Sequence, residues 1–134
     1  MKKIFLIFLL LLLSNGVYNN ANSIIYIAKL PPIEPFKRLS LAVGIVESSC
    51  NNLAYNTDEN AYGYFQIRPI RLKDYNQRTN NNYKMEDLYD YNISLKIFLF
   101  YCDIVGPDFE TISRSWNGTG YMTKLYWQKV KHYL

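Results

Sequence analysis

The sequence predicts a mainly α, single-domain protein, and three observations carry that prediction. Phe36, Leu39, Val43 and Val46 recur at three- and four-residue spacing, as do Ile93, Ile97, Phe100 and Ile104, so two amphipathic helices each turn an apolar stripe inward. Asp108 caps a third helical stretch that runs to Trp116, and Asn117-Gly118-Thr119-Gly120 breaks it. The chain has 134 residues, which leaves roughly 110 to 120 after removal of a leader, enough for one modest core and no second domain.

Taken in order, residues 1–23 read as a secretory signal peptide. Lys2 and Lys3 precede an apolar run from Ile4 to Leu13, followed by small-x-small sites at Ser14-Asn15-Gly16 and Ala21-Asn22-Ser23. The run is short for a bilayer span and no cysteine follows it to carry a lipid, so membrane contact is expected only through this leader. Export to a periplasm or the extracellular space follows. Residues 24–35 contain Pro31-Pro32, which forbid a helix, and read as a packed arm or linker ahead of a domain at 36–134. Pro35 suits the first turn of a helix from Phe36 to Ser48, in which Gly44 lowers stability and implies close packing against another backbone.

Asn51 to Asn60 reads as a polar surface loop, and Ala61 to Ile67 as a short extended turn or strand lining a cleft. A short helix from Pro69 to about Tyr75 gives way to the Asn-rich stretch Asn76 to Tyr83, and Met85 to Leu88 suggests one more helical turn. The central helix runs from Asn92 to Asp103 and is closed by Gly106-Pro107. In the final helix, Trp127 and Val130 lie one turn apart on a packing face.

Formal net charge is +4, of which Lys2 and Lys3 in the leader supply 2, leaving +2. That charge is too weak, and too scattered, for a nucleic-acid surface. His132 is the sole histidine, which excludes His-based triads and offers no metal cluster. Thirteen tyrosines supply sugar-stacking faces or fill the core rim. Cys50 and Cys102, in an exported chain, are a candidate disulfide joining the end of the first helix to the central one.

Glu47 is the residue around which the chemistry gathers. A carboxylate normally sits in the first turn of a helix, where the dipole favours it, whereas Glu47 is in the last turn beside apolar neighbours. Partial burial and the negative helix end both raise a carboxyl pKa and leave a fraction protonated near neutrality, the state a general acid needs.

Glu47-Ser48, then Gly63-Tyr64-Phe65-Gln66-Ile67, then Trp116-Asn117-Gly118, and finally Tyr126-Trp127-Gln128-Lys129-Val130 occur at domain-sized spacing. In that order they resemble the motifs of the soluble lytic transglycosylases: a Glu-Ser at a helix end, a Gly-x-x-Gln-Ile element, an aromatic-Asn-Gly and a Tyr-Trp-x-x-Val closing helix. The resemblance covers about Leu39 to Leu134 and implies a lysozyme-like fold with Glu47 as the catalytic acid. Ser48, Gly63, Tyr64, Gln66, Trp116, Asn117 and Tyr126 become the expected substrate-binding residues, with Tyr121 also a candidate lining residue. Gly63 permits close backbone approach to a sugar, and the Gln66 amide both donates and accepts. Two departures stand out: Tyr64-Phe65 replaces an aliphatic-Met pair, and Trp116 stands where many members have a tyrosine that donates near the acid. Trp116 either excludes water beside Glu47 or is simply core.

The activity so implied is cleavage of the β-1,4 bond between N-acetylmuramic acid and N-acetylglucosamine in peptidoglycan, leaving a 1,6-anhydro end, with no cofactor or metal. The expected partner is the glycan strand, met as a monomer, alone or beside a secretion, conjugation or phage machine. Two alternatives stay open: a hydrolytic lysozyme, in which Asp58 or another loop acid such as Glu59 positions water, and a wall-binding protein without turnover.

Overall fold

The computed structural model describes residues 34–134, so the leader and nearly all of the arm, residues 1–33, lie outside the described residues. Five α-helices, one 3-10 turn and a two-stranded hairpin make up the described part, a mainly α architecture.

Helix α1, Lys37–Ser48, buries Leu39, Ala42 and Val43 along one face, with Phe36 just ahead of it. It stops where Ser49 and Cys50 turn left-handed, at φ 54° and 62°, and send their amides back to the carbonyls of Ile45 and Gly44. The hairpin pairs β1, Tyr55–Asn56, with β2, Ala61–Tyr62, in antiparallel register, Tyr55 opposite Tyr62 and Asn56 opposite Ala61. The Asn56 side chain closes its turn by accepting from the Asp58 and Glu59 amides.

Helix α2, Pro69–Thr79, is begun by its proline and runs one turn past the expected end at Tyr75. Asn76 causes the extension: it stays helical while its side chain pairs with the backbone of Tyr83 in both directions, at 2.8 and 3.2 Å, and so fastens the following loop. The 3-10 turn Met85–Tyr89 leads into α3, Tyr91–Val105, whose first amides are capped by Asp90. Its inward stripe is Ser94, Ile97, Phe98 and Cys102, whereas Ile104, expected inside, is 52% exposed. At about 100° per residue, Ile104 lies two steps past Cys102 and therefore on the far side. Asp108 caps α4, Phe109–Asn117, as expected, and α5, Met122–His132, packs on α4 and α1 through Thr123, Tyr126 and Val130, with Trp127 half-buried beside them.

The core is aromatic at its centre. Phe65 stacks on Phe98 with rings 4.5 Å apart, and Trp116 meets Phe98 edge-on at 4.9 Å. Pairs of this kind add about 0.5 to 1.5 kcal/mol each beyond the area they bury. Gly44 is there for the same core, but the packing it serves is against a side chain: a Cβ at that position would lie 1.8 Å from the Tyr64 ring.

The candidate disulfide is absent. Both thiols are free, because Cys50 lies exposed beyond the end of α1 while Cys102 faces inward from α3. Cys50 sulfur instead contacts the Tyr64 hydroxyl at 3.2 Å, and burial pushes the Cys102 thiol up to about 12. No helix among the described residues is long and apolar enough to cross a membrane.

Candidate active site

Helix α1 delivers Glu47 to the wall of a cleft of about 280 Å³. Four other parts of the chain complete it: Asn56 and Glu59 from the hairpin, Gln66, Arg68, Ile70 and Arg71 around the start of α2, Trp116 and Asn117 at the end of α4, and Tyr126 and Lys129 from α5. Because α5 packs against α1, the Tyr126 hydroxyl reaches Glu47 and donates to Oε1 at 2.7 Å.

Burial is the chief cause of the acid's altered state. It lifts the Glu47 pKa from 4.5 to about 7, against the Tyr126 hydrogen bond and the positive charges of Arg68 and Arg71, which lower it; Glu59 adds a smaller push upward. Glu47 is thus divided between acid and carboxylate near neutral pH. Tyr126 is buried beside this charge, and both burial and Glu47 raise its own pKa, so it remains a donor. With Tyr126 donating to Oε1, the proton of the acid form belongs on Oε2, which makes no hydrogen bond among the described residues.

The other carboxylates near the cleft have other tasks. Glu59 lines it but is tied to Arg68, which donates to Glu59 Oε2 from Nε at 3.1 Å and Nη2 at 2.7 Å. Asp58 is exposed and does not line the cleft; its amide is engaged by Asn56 in the hairpin turn. Among the described residues no three His, Cys, Asp or Glu side chains gather to hold a metal ion.

Of the expected substrate-binding residues, Gln66, Trp116, Asn117 and Tyr126 line the cleft with Glu47. Ser48, Gly63 and Tyr64 do not, and each has a structural task instead. The Ser48 hydroxyl donates to the Tyr64 carbonyl at 2.9 Å and accepts from the Asn51 amide, pinning the end of α1 to the turn below. Gly63 has φ +73°, and a Cβ there would lie 2.1 Å from the Leu88 carbonyl oxygen, so the close approach it permits is to the 3-10 turn. Tyr64 is buried in the aromatic core. The Ala61 to Ile67 segment therefore lies mostly beneath the cleft and lines it through Gln66 alone, whose Nε2 donates to the carbonyls of Gly63 and Ala54. Tyr121 is 71% exposed and outside the cleft.

Trp116 is core and wall at once. Its indole N–H donates to the Phe65 carbonyl at 3.2 Å, so it cannot donate to the acid, and Tyr126 on α5 does so in its place. Arg68, Arg71, Lys129 and Asn56 complete the cleft without having been singled out from the sequence. For the two arginines a signal existed: cations around the first turn of α2 oppose the helix dipole, the mirror image of the misplaced acid Glu47. Comparison of the chain with protein-family models, with curated proteins and with solved structures gives no match.

Proposed function

We propose that this protein is a peptidoglycan lytic transglycosylase on a lysozyme-like fold, exported and acting on glycan strands, with Glu47 as general acid and then base. One observation carries the proposal: a single carboxyl group in the cleft has its pKa raised to about 7, while its only carboxylate companion there among the described residues, Glu59, is occupied by Arg68. Glycosidases that place water use two carboxyl groups across the bond; an attacking hydroxyl already attached to the substrate removes that need.

In the proposed reaction, Glu47 Oε2 gives its proton to the glycosidic oxygen between N-acetylmuramic acid and N-acetylglucosamine as positive charge develops at the muramoyl C1. The Tyr126 hydroxyl, held on Oε1, steadies the carboxylate so formed. That carboxylate next takes the proton from the muramoyl C6 hydroxyl, whose oxygen attacks C1 and closes the 1,6-anhydro ring. The acid is restored with no water consumed. Asn117 and Gln66 at the cleft wall supply amide contacts for the sugars.

The test is mass spectrometry of soluble products from peptidoglycan sacculi treated with the protein and with Glu47→Gln. Anhydro-ended fragments, lost in the variant, are expected. Water-added reducing ends would assign a hydrolase instead and direct attention to Glu59, and binding without any product would assign a wall-binding protein.

A further inference from the structure

The cleft contains a second charged group that the proposed reaction leaves unused. Arg71 is partly buried, its guanidinium 3.9 Å over the Trp116 ring and 5.1 Å from the centre of the Tyr101 ring. Among the described residues a single side-chain donor is committed, from Nη2 to the Trp116 carbonyl at 3.0 Å. No carboxylate forms an ion pair with it among the described residues. Asp74, one turn along α2, is taken by Arg78 at 2.9 Å and by the Tyr101 hydroxyl at 2.7 Å, and Glu59 is taken by Arg68. Lys129 lines the same cleft and adds to the excess of positive charge. A guanidinium half out of bulk water, with free donors and no carboxylate in ion-pair contact among the described residues, is set up for an anion supplied from outside, and its planar fork matches a carboxylate.

Arg71 is also a wall shared by two spaces. On one side is the Glu47 cleft; on the other, between α2, α3 and α4, is a cavity of about 370 Å³ whose apolar lining includes Ile70, Val105, Ile112 and the Tyr101 and Trp116 rings. A peptide-free strand offers this cation the lactyl carboxylates of its muramoyl residues but nothing for the apolar part of the chamber beside it, which Asp74 and Ser115 also line. A short peptide branching from a sugar explains both.

The geometry points to Arg71 as the recognition site for a carboxylate on a peptide substituent of the glycan, with the apolar part of that substituent in the adjoining cavity. This rests on the glycan-cleaving reading of the cleft and adds a specificity to it: the substrate is peptide-bearing strand in preference to bare strand.

Binding tests this without turnover. Glu47→Gln protein is titrated with a peptidoglycan fragment of two disaccharide units carrying stem peptides, and with the same fragment after its stem carboxylates are converted to amides. Amidation should weaken binding about tenfold or more, the usual worth of a charge-assisted hydrogen bond. In Glu47→Gln/Arg71→Gln the two forms should bind alike, and Arg71→Lys should restore part of the difference. Equal affinity for the two forms with Arg71 in place overturns the inference, as does a preference that survives Arg71→Gln or a protein that binds neither form. Wild-type cleavage of bare, peptide-free glycan is scored separately. If it occurs while the carboxylate preference is missing, the anion site falls and the transglycosylase stands; if neither bare nor peptide-bearing glycan is cleaved, it is the transglycosylase that falls.

Discussion

Phe65 and Gln66 are neighbours in the chain and belong to different regions of the molecule. Phe65 lies wholly inside, stacked on Phe98, in a layer where the one indole donor is matched by the Phe65 carbonyl. Gln66 faces a cleft where burial raises an acid's pKa to about 7 and a guanidinium makes no ion pair among the described residues. Both regions are hydrogen-bonded, but in the cleft the bonds leave a carboxyl away from its ordinary state. Burial moves the acid from its ordinary pKa, and it is the packing of α1 against α5 that buries it.

The largest effect should come from removing the acid. Glu47→Gln should lower the cleavage rate about 10²- to 10⁴-fold, the usual worth of a general acid. The same change should stabilise the fold at alkaline pH. A carboxyl raised from 4.5 to about 7 in the folded state contributes stability that is complete below the lower value and lost as pH rises through the upper one. Wild type should therefore lose about 3 kcal/mol between pH 4.5 and 8 that the glutamine variant keeps. Urea unfolding at both pH values checks this; parallel behaviour of the two proteins would mean that burial does not govern Glu47.

Next is the inner layer. Gly63→Ala combines a positive φ with a collision against the Leu88 carbonyl, so a loss of about 3 kcal/mol in urea unfolding is expected. An unchanged midpoint would contradict the assignment of Gly63 to scaffold.

Tyr126→Phe acts on the boundary between acid and layer. It removes the bond that holds Glu47 down, so the alkaline limb of the pH–rate profile should move upward while the maximum rate falls about tenfold. A downward shift would exclude Tyr126 as the partner of the acid. Smallest is Glu59→Gln. Removing its charge and freeing Arg68 both lower the Glu47 pKa, so the limb should move slightly down, with product identity unchanged and stability altered by less than about 1 kcal/mol, since the ion pair is exposed. Loss of turnover here would transfer the mechanism to two carboxylates.

Much of this division was legible in the amino-acid order. Helix α1 showed its stripe and its misplaced acid, Asp108 announced a cap, and Gly106 a stop, because each of these is a local rule and its enforcement needs no distant partner. The roles of Ser48, Gly63 and Tyr64 were not legible. A serine, glycine or tyrosine serves a sugar or a carbonyl with the same atoms, and only the fold decides which is near. The arginines were missed for another reason: Arg68 and Arg71 lie either side of Pro69 in a segment whose apolar pattern is weak, and Arg71 meets Trp116 from 45 residues away in the chain.

The fit of Gly44 under Tyr64 has a consequence for inheritance. Neither residue is free to drift by itself: a larger residue at 44 strikes the ring, and a smaller one at 64 opens a void beneath the turn that carries Glu47. Descendants of this chain should keep the pair or exchange both together, a bulkier residue arriving in the helix as the ring departs.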